Sequence, residues 1–289
     1  MTQEFHYRVA WRATDRFPGH HRSAHSGPGL EFTGHAPLLA APDPRRLDVR
    51  ASLSDPFEQW LVRTYRQRSS LQVYLLADVS ASMAYRGRGH KMRVLADFAS
   101  ALAFSAYRTG DRFAFVACDE TPRPDLFLAP GRQRGAGAEI RRRIEAATLG
   151  GRNAEGLAAA PALLGKQRAL VFLLSDFHFP VAFLHRVLHA LSRHDVVPVV
   201  LWDAEEFQEQ CGYGLRLVKD SESGRHRYLF MRPALRAKLA QASSKRSKAL
   251  TQAFMAHSLR PLVIAGEFSA DAVTQYFYRD YAVTQGNSN

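Results

Sequence analysis

From residue 71 the chain alternates short apolar runs with segments whose apolar positions recur at helical spacing. Residues 71–77, 112–118, 169–174, 195–202 and 262–265 predict strands, and 126–129 a short edge strand in an antiparallel hairpin after a Pro-containing turn. Between them, residues from about 91 to 107 predict a helix with Leu95, Phe98, Leu102 and Ala106 on one side. Further helices follow with Ile140 and Ile144 inward, with small residues up to Leu164, and with Val181, Leu184 and Leu188 on one face. A long helix from Pro233 and a last one over about 271–281 complete the pattern. Alternation of this kind predicts an α/β fold, a doubly wound and mostly parallel sheet covered by helices on both faces. With the strands side by side in the order 126–129, 112–118, 71–77, 169–174, 195–202, 262–265, the winding reverses between 71–77 and 169–174. A ligand crevice belongs there, at the carboxyl ends of the strands.

The pattern is weaker at both flanks of this core. Residues 1–68 read as an N-terminal extension of turns and short extended pieces, rich in Gly, Pro, His and Arg, lying over another surface. One helix is expected in it, opened by Asp55-Pro56 and carrying Phe57, Trp60, Leu61 and Tyr65 on a docking face. His20, His21 and His25 lack an acidic or Cys partner nearby and read as solvated loop histidines. Residues 69–289 form the main domain, with a hairpin and helix inserted at about 206–258: 215–218 and 228–231 flank the turn Lys219-Asp-Ser-Glu-Ser-Gly224.

Composition adds bounds. A chain of 289 residues with 46% hydrophobic residues can bury a large core. The net charge of +12 admits an acidic partner of any class. Cys118 and Cys211 form no ligand pattern and suit a reducing compartment as buried thiols. The N-terminus lacks the layout of a signal peptide and no long apolar run occurs, so the expectation is a cytoplasmic protein without a membrane span.

The chemistry concentrates at Asp78-Val-Ser-Ala-Ser82, where a strand ends in a carboxylate and two hydroxyls at i, i+2 and i+4. Asp176 ends the strand expected across the switch point, so two acids distant in sequence meet at one crevice. Hard oxygen donors of this kind suit Mg²⁺ or another divalent cation that keeps a position for an outside oxygen, such as a partner's carboxylate.

These residues resemble the metal-ion-dependent adhesion site of von Willebrand factor A-type domains. The resemblance narrows to the bacterial branch (DUF58) associated with MoxR-type AAA+ ATPases, and is similar to the accessory proteins encoded with methanol oxidation systems. It is carried further by Gly27-Pro-Gly-Leu-Glu-Phe32, Asp43-Pro-Arg-Arg-Leu-Asp48, Thr109-Gly-Asp-Arg112, Ser175-Asp-Phe177 and Arg193-His-Asp-Val-Val197. The resemblance implies a non-enzymatic adaptor that works with such an ATPase to assemble or activate a client, methanol dehydrogenase in the methanol-oxidation branch. It implies Asp78, Ser80, Ser82 and Asp176 as metal site, and Arg152 and His178 beside them are read as partner-binding residues. The family's third metal loop reads Gly-Gly-Thr, whereas here Arg152 follows Gly150-Gly151. Either Thr148 or Asn153 supplies the missing oxygen, or the Arg152 guanidinium reaches the carboxylates and replaces the cation's charge.

Two other classes compete. A strand-end Asp beside Mg²⁺ also suits a phosphoaspartate hydrolase, but Ser80 stands where that chemistry wants a second Asp. The helix with Lys238, Lys245, Arg246 and Lys248 could contact nucleic acid, yet neither it nor Arg141-Arg142-Arg143 has the aromatic interleaving or reading motif that would support this. Nucleic acid is therefore the least favoured partner.

Overall fold

In the computed structural model, residues 3–9, 11, 18–84, 90–148, 151–202, 214–219, 226–231 and 233–286 are described. The main sheet contains β3 (Gln72–Asp78), β4 (Arg112–Cys118), β5 (Leu128–Gly131), β6 (Leu170–Ser175), β7 (Asp195–Trp202) and β10 (Leu262–Ala265). Their order across the sheet is β10-β7-β6-β3-β4-β5, all parallel except the β4–β5 pair. This is the order and the antiparallel edge expected from the alternation.

Every position of β6 and all but the first of β3 and β4 are buried, because helices cover both faces. Val73, Leu75, Phe113, Phe115, Leu170 and Phe172 point to one side and share a core with α2 (Lys91–Thr109), α3 (Ala136–Ala146) and α7 (Ala270–Gly286). Tyr74, Leu76, Val116, Val171 and Leu173 point to the other, toward α4 (Gly156–Ala159), α5 (Val181–Ala190) and α6 (Pro233–Ala256). Helix α2 ends where Gly110 adopts φ 78, a left-handed cap that glycine reaches without strain.

The N-terminal region departs from expectation. Instead of turns with one helix at Asp55, it contains a long strand β1 (Pro18–Pro37), the short helix α1 (Val49–Leu53) and β2 (Leu61–Ser69). Strands β1 and β2 pair antiparallel, with several register shifts, as a two-stranded ribbon outside the main sheet. The predicted helix fails locally. The Asp55 carboxylate accepts from the backbone N–H groups of Phe57 and Gln59, closing a turn, and Glu58 adopts φ 55, which no α-helix permits. The apolar spacing of Phe57, Trp60, Leu61 and Tyr65 is then spent on a turn and a strand, and Phe57 and Trp60 remain exposed.

The first residues are not a loose cover either. Phe5 and Tyr7 are buried in the aromatic core with Phe98, Phe172 and Phe277. Buried Asp111 accepts from Tyr7 Oη (2.5 Å), Thr109 Oγ1 (2.9 Å) and the Leu71 N–H (2.8 Å), and lies 2.9 Å from His21 Nε2. His21, expected in solvent, therefore has a carboxylate partner 90 residues away and stacks on Tyr7.

Strands β8 (Gly214–Lys219) and β9 (His226–Met231) form the expected antiparallel hairpin; residues 220–225 of its turn and Cys211 lie outside the described residues. Cys118 is a buried free thiol, pushed up to about 12 chiefly by burial. No helix among the described residues is long and apolar enough to cross a membrane.

Candidate functional site

Asp78 is the last residue of β3, and Asp176 directly follows β6, the strand beside it. The loop after β3 folds back at once: the Ser80 N–H donates to Asp78 Oδ1 (2.8 Å), and a 3-10 turn follows over Ala81–Ala84. The Val79 N–H donates to the carbonyl of Cys118 and the Ala81 N–H to that of Gly151, both at 2.8 Å. These bonds fasten the loop to the end of β4 and to the loop before α4. Gly151 is there for space: a Cβ would lie 2.3 Å from Asp119 Cβ.

After β6, Phe177 is held at φ 54, a strained position for a bulky residue, inside a turn closed by its own N–H to Ser175 Oγ (2.8 Å). Arg246 of α6 donates to the carbonyls of Phe177 and Phe179 and so supports this turn. That removes Arg246 from the exposed basic face expected on α6. The Arg141-Arg142-Arg143 triplet is likewise paired, Arg141 with Asp97 and the other two with Glu139.

The two loops bring Asp78, Ser80, Ser82 and Asp176 together. Ser80 Oγ and Ser82 Oγ are 3.2 Å apart, and Ser82 Oγ donates to Asp176 Oδ1 at 3.2 Å. Asp176 Oδ1 also accepts from the His178 N–H, and Ser175 Oγ donates to Asp78 Oδ2 (2.7 Å). Burial, followed by the neighbouring charge of Asp176, raises the Asp78 carboxyl to about 6 against the pull of its hydrogen bonds. Both acids are buried beneath a crevice of about 350 Å³, lined by Asp78, Ser80 and Ser82 together with Arg152, Asn153 and His178.

The residue that sequence reasoning missed is Lys91. It is the first residue of α2, its side chain is 2% exposed, and its Nζ lies 2.7 Å from Asp176 Oδ2, itself on a side chain 1% exposed. A lysine so deeply buried is found only with a charge partner. Its one signal in the sequence is position: it opens a helix immediately after the polar loop that follows Asp78, where an inward-facing first turn lies over the strand ends.

Arg152 does not lie across the two acids. Its N–H donates to Glu120 Oε1 (2.9 Å), its side chain stands at the crevice rim, and no ion pair joins it to Asp78 or Asp176 among the described residues. Thr148 is exposed, offers its carbonyl to Arg123, and is not part of the crevice lining. Asn153 lines the crevice while its Oδ1 accepts from the Glu155 N–H (3.0 Å).

This donor set fits a divalent cation poorly. Both oxygens of each acid already accept hydrogen bonds, one of them from an ammonium. A cation placed against Asp176 would face that ammonium at close range in a buried setting. Among the described residues no group of three or more His, Cys, Asp or Glu is placed to hold a metal.

The chain is 34% identical over 101 residues to an uncharacterized protein in the moxR 3′ region of Paracoccus denitrificans, covering 35% of this chain and 96% of that one. Among solved structures it is similar to a conserved hypothetical protein, BatB, of Bacteroides thetaiotaomicron (12% identity, 73% of this chain and 98% of that chain, TM-score 0.40). It is also similar to proximal thread matrix protein 1 of the mussel byssus, with a zinc-occupied MIDAS motif (15% identity, 73% and 46%, TM-score 0.37). Residues 44–249 match the family described as protein of unknown function DUF58, and the chain belongs to that family.

Proposed function

We propose that this protein is a non-enzymatic accessory protein that acts with a MoxR-type AAA+ ATPase in assembling or activating a client complex. It docks its partner through the crevice over Asp78 and Asp176. The observation that carries this reading is that Asp78, Ser80 and Ser82 line one crevice at the switch point of the sheet, with Asp176 of a distant loop buried behind them and hydrogen-bonded to Ser82. The Paracoccus relative encoded in the moxR 3′ region supplies the class of partner.

The same geometry argues against the hydrolase. Asp78 is buried, held through both oxygens, and shifted toward its protonated form, three properties opposite to those of an activated carboxylate nucleophile. The test is capture of the organism's own MoxR-type ATPase by the tagged full chain. Ser82→Trp, which fills the crevice, is expected to abolish capture while the far-UV circular dichroism stays unchanged; full capture by a folded Ser82→Trp protein would overturn the reading.

A further inference from the structure

We propose that the crevice is a metal-free receptor for a carboxylate side chain of the partner, with Lys91 as its built-in cation and Arg152 and Arg186 as the arms that hold the ligand. This rests on the docking role proposed above and names the chemistry of that same site.

Two acids placed side by side below a crevice need a positive charge to stay buried, and would otherwise repel an acidic ligand. In this chain the charge is covalent. The Lys91 ammonium, carried by α2, reaches Asp176 Oδ2 at 2.7 Å with both side chains almost wholly buried. Neither it nor Asp176 lines the crevice, so a ligand meets the hydroxyls of Ser80 and Ser82, the rim above, and Asp78, both of whose oxygens are already engaged by the Ser80 N–H and Ser175 Oγ.

That rim is basic. Arg152 and Arg186 both line it beside Glu155, and neither makes an ion pair with an acid among the described residues. The Arg186 guanidinium rests 5.0 Å from the centre of the Phe183 ring, and Phe179 and Phe183 in the same lining give the ligand's stem an apolar wall. Guanidinium forks grip a planar carboxylate through paired hydrogen bonds, which a spherical cation cannot dictate. The Arg that replaces the third-loop threonine is then part of the recognition apparatus.

The decisive experiment is calorimetric titration of Mg²⁺ and of Mn²⁺ into the full-length chain after chelation and desalting. The expected result is no saturable heat with the wild-type protein. Lys91→Met, with the ammonium removed and the acids left in place, is expected to gain saturable Mn²⁺ binding that Asp78→Asn then removes. Saturable binding of either ion to the wild type that disappears with Asp78→Asn would overturn the assignment, whether or not the Lys91 variant folds. The carboxylate arm is read with the organism's MoxR-type ATPase: Arg152→Ala with Arg186→Ala should weaken capture about tenfold or more. Undiminished capture by that double variant would overturn the role of the arms. Failure of the wild type to capture the ATPase at all would instead overturn the docking role, while the metal titration still decides whether Lys91 serves as the cation.

Discussion

The main sheet hides charge, and the N-terminal ribbon displays apolar surface. At the carboxyl edge of the sheet Asp78, Lys91 and Asp176 are buried together; around the ribbon Leu39, Leu53, Phe57 and Trp60 are exposed. Both invert the usual partition of polar and apolar residues, and such inversions carry more information than a conventional core. The physical reasons differ. Burying a charge demands a partner with good geometry, and the sheet provides one through helix α2. Leaving apolar side chains in water carries a smaller penalty per residue, roughly the transfer free energy of each side chain, and a ribbon with only two strands has no second layer to hide them.

That contrast can be tested by substitution. The largest loss of stability is expected in the sheet core: Phe172→Ala removes a ring packed against Phe5, Tyr7, Phe98 and Phe277 and should cost about 3–5 kcal/mol in denaturant unfolding. Next, Lys91→Met leaves Asp176 as a buried charge without its ammonium, at a cost of about 3 kcal/mol. Adding Asp176→Asn to Lys91→Met should recover part of that loss, and an additive further loss would show that the two residues are not coupled.

A smaller effect is expected from pH. The folded Asp78 carboxyl titrates near 6, above the value of about 3.9 for a free Asp, so the folded state binds the proton more tightly. Its contribution to stability therefore rises as pH falls from 7 through 6 toward 4, and is absent above that window. The difference between wild type and Asp78→Asn in urea midpoints across this range isolates it, and parallel curves would show that Asp78 is not shifted. The smallest effect belongs to the ribbon: Trp60→Ser and Leu53→Ser should each change stability by less than about 0.5 kcal/mol. A loss of several times that amount would mean that their surface is packed rather than exposed.

Much of the sheet was legible because its signals are local. The run at residues 71–77 and its fellows, each bounded by turn residues, lead to the strand order and hence to the meeting of Asp78 with Asp176. The ribbon was not legible. Phe57, Trp60, Leu61 and Tyr65 fit helical spacing, and only the Asp55 turn and the pairing of β2 with β1 exclude it. His21 failed for a similar reason, since its partner Asp111 is 90 residues away.

Apolar period and strand-end carboxylates are properties of neighbouring residues, so the alternation of strands and helices, the doubly wound order and the place of the crevice follow from the order of residues along the chain. Which cation faces the acids depends instead on the packing of segments far apart in the chain. Arg152 follows the matching Gly-Gly pair, yet Lys91, separated from Asp176 by 85 positions, takes that place. The packing of α2 against the strand ends carries its ammonium beneath the crevice, and a buried carboxylate accepts the nearest charge that the fold delivers.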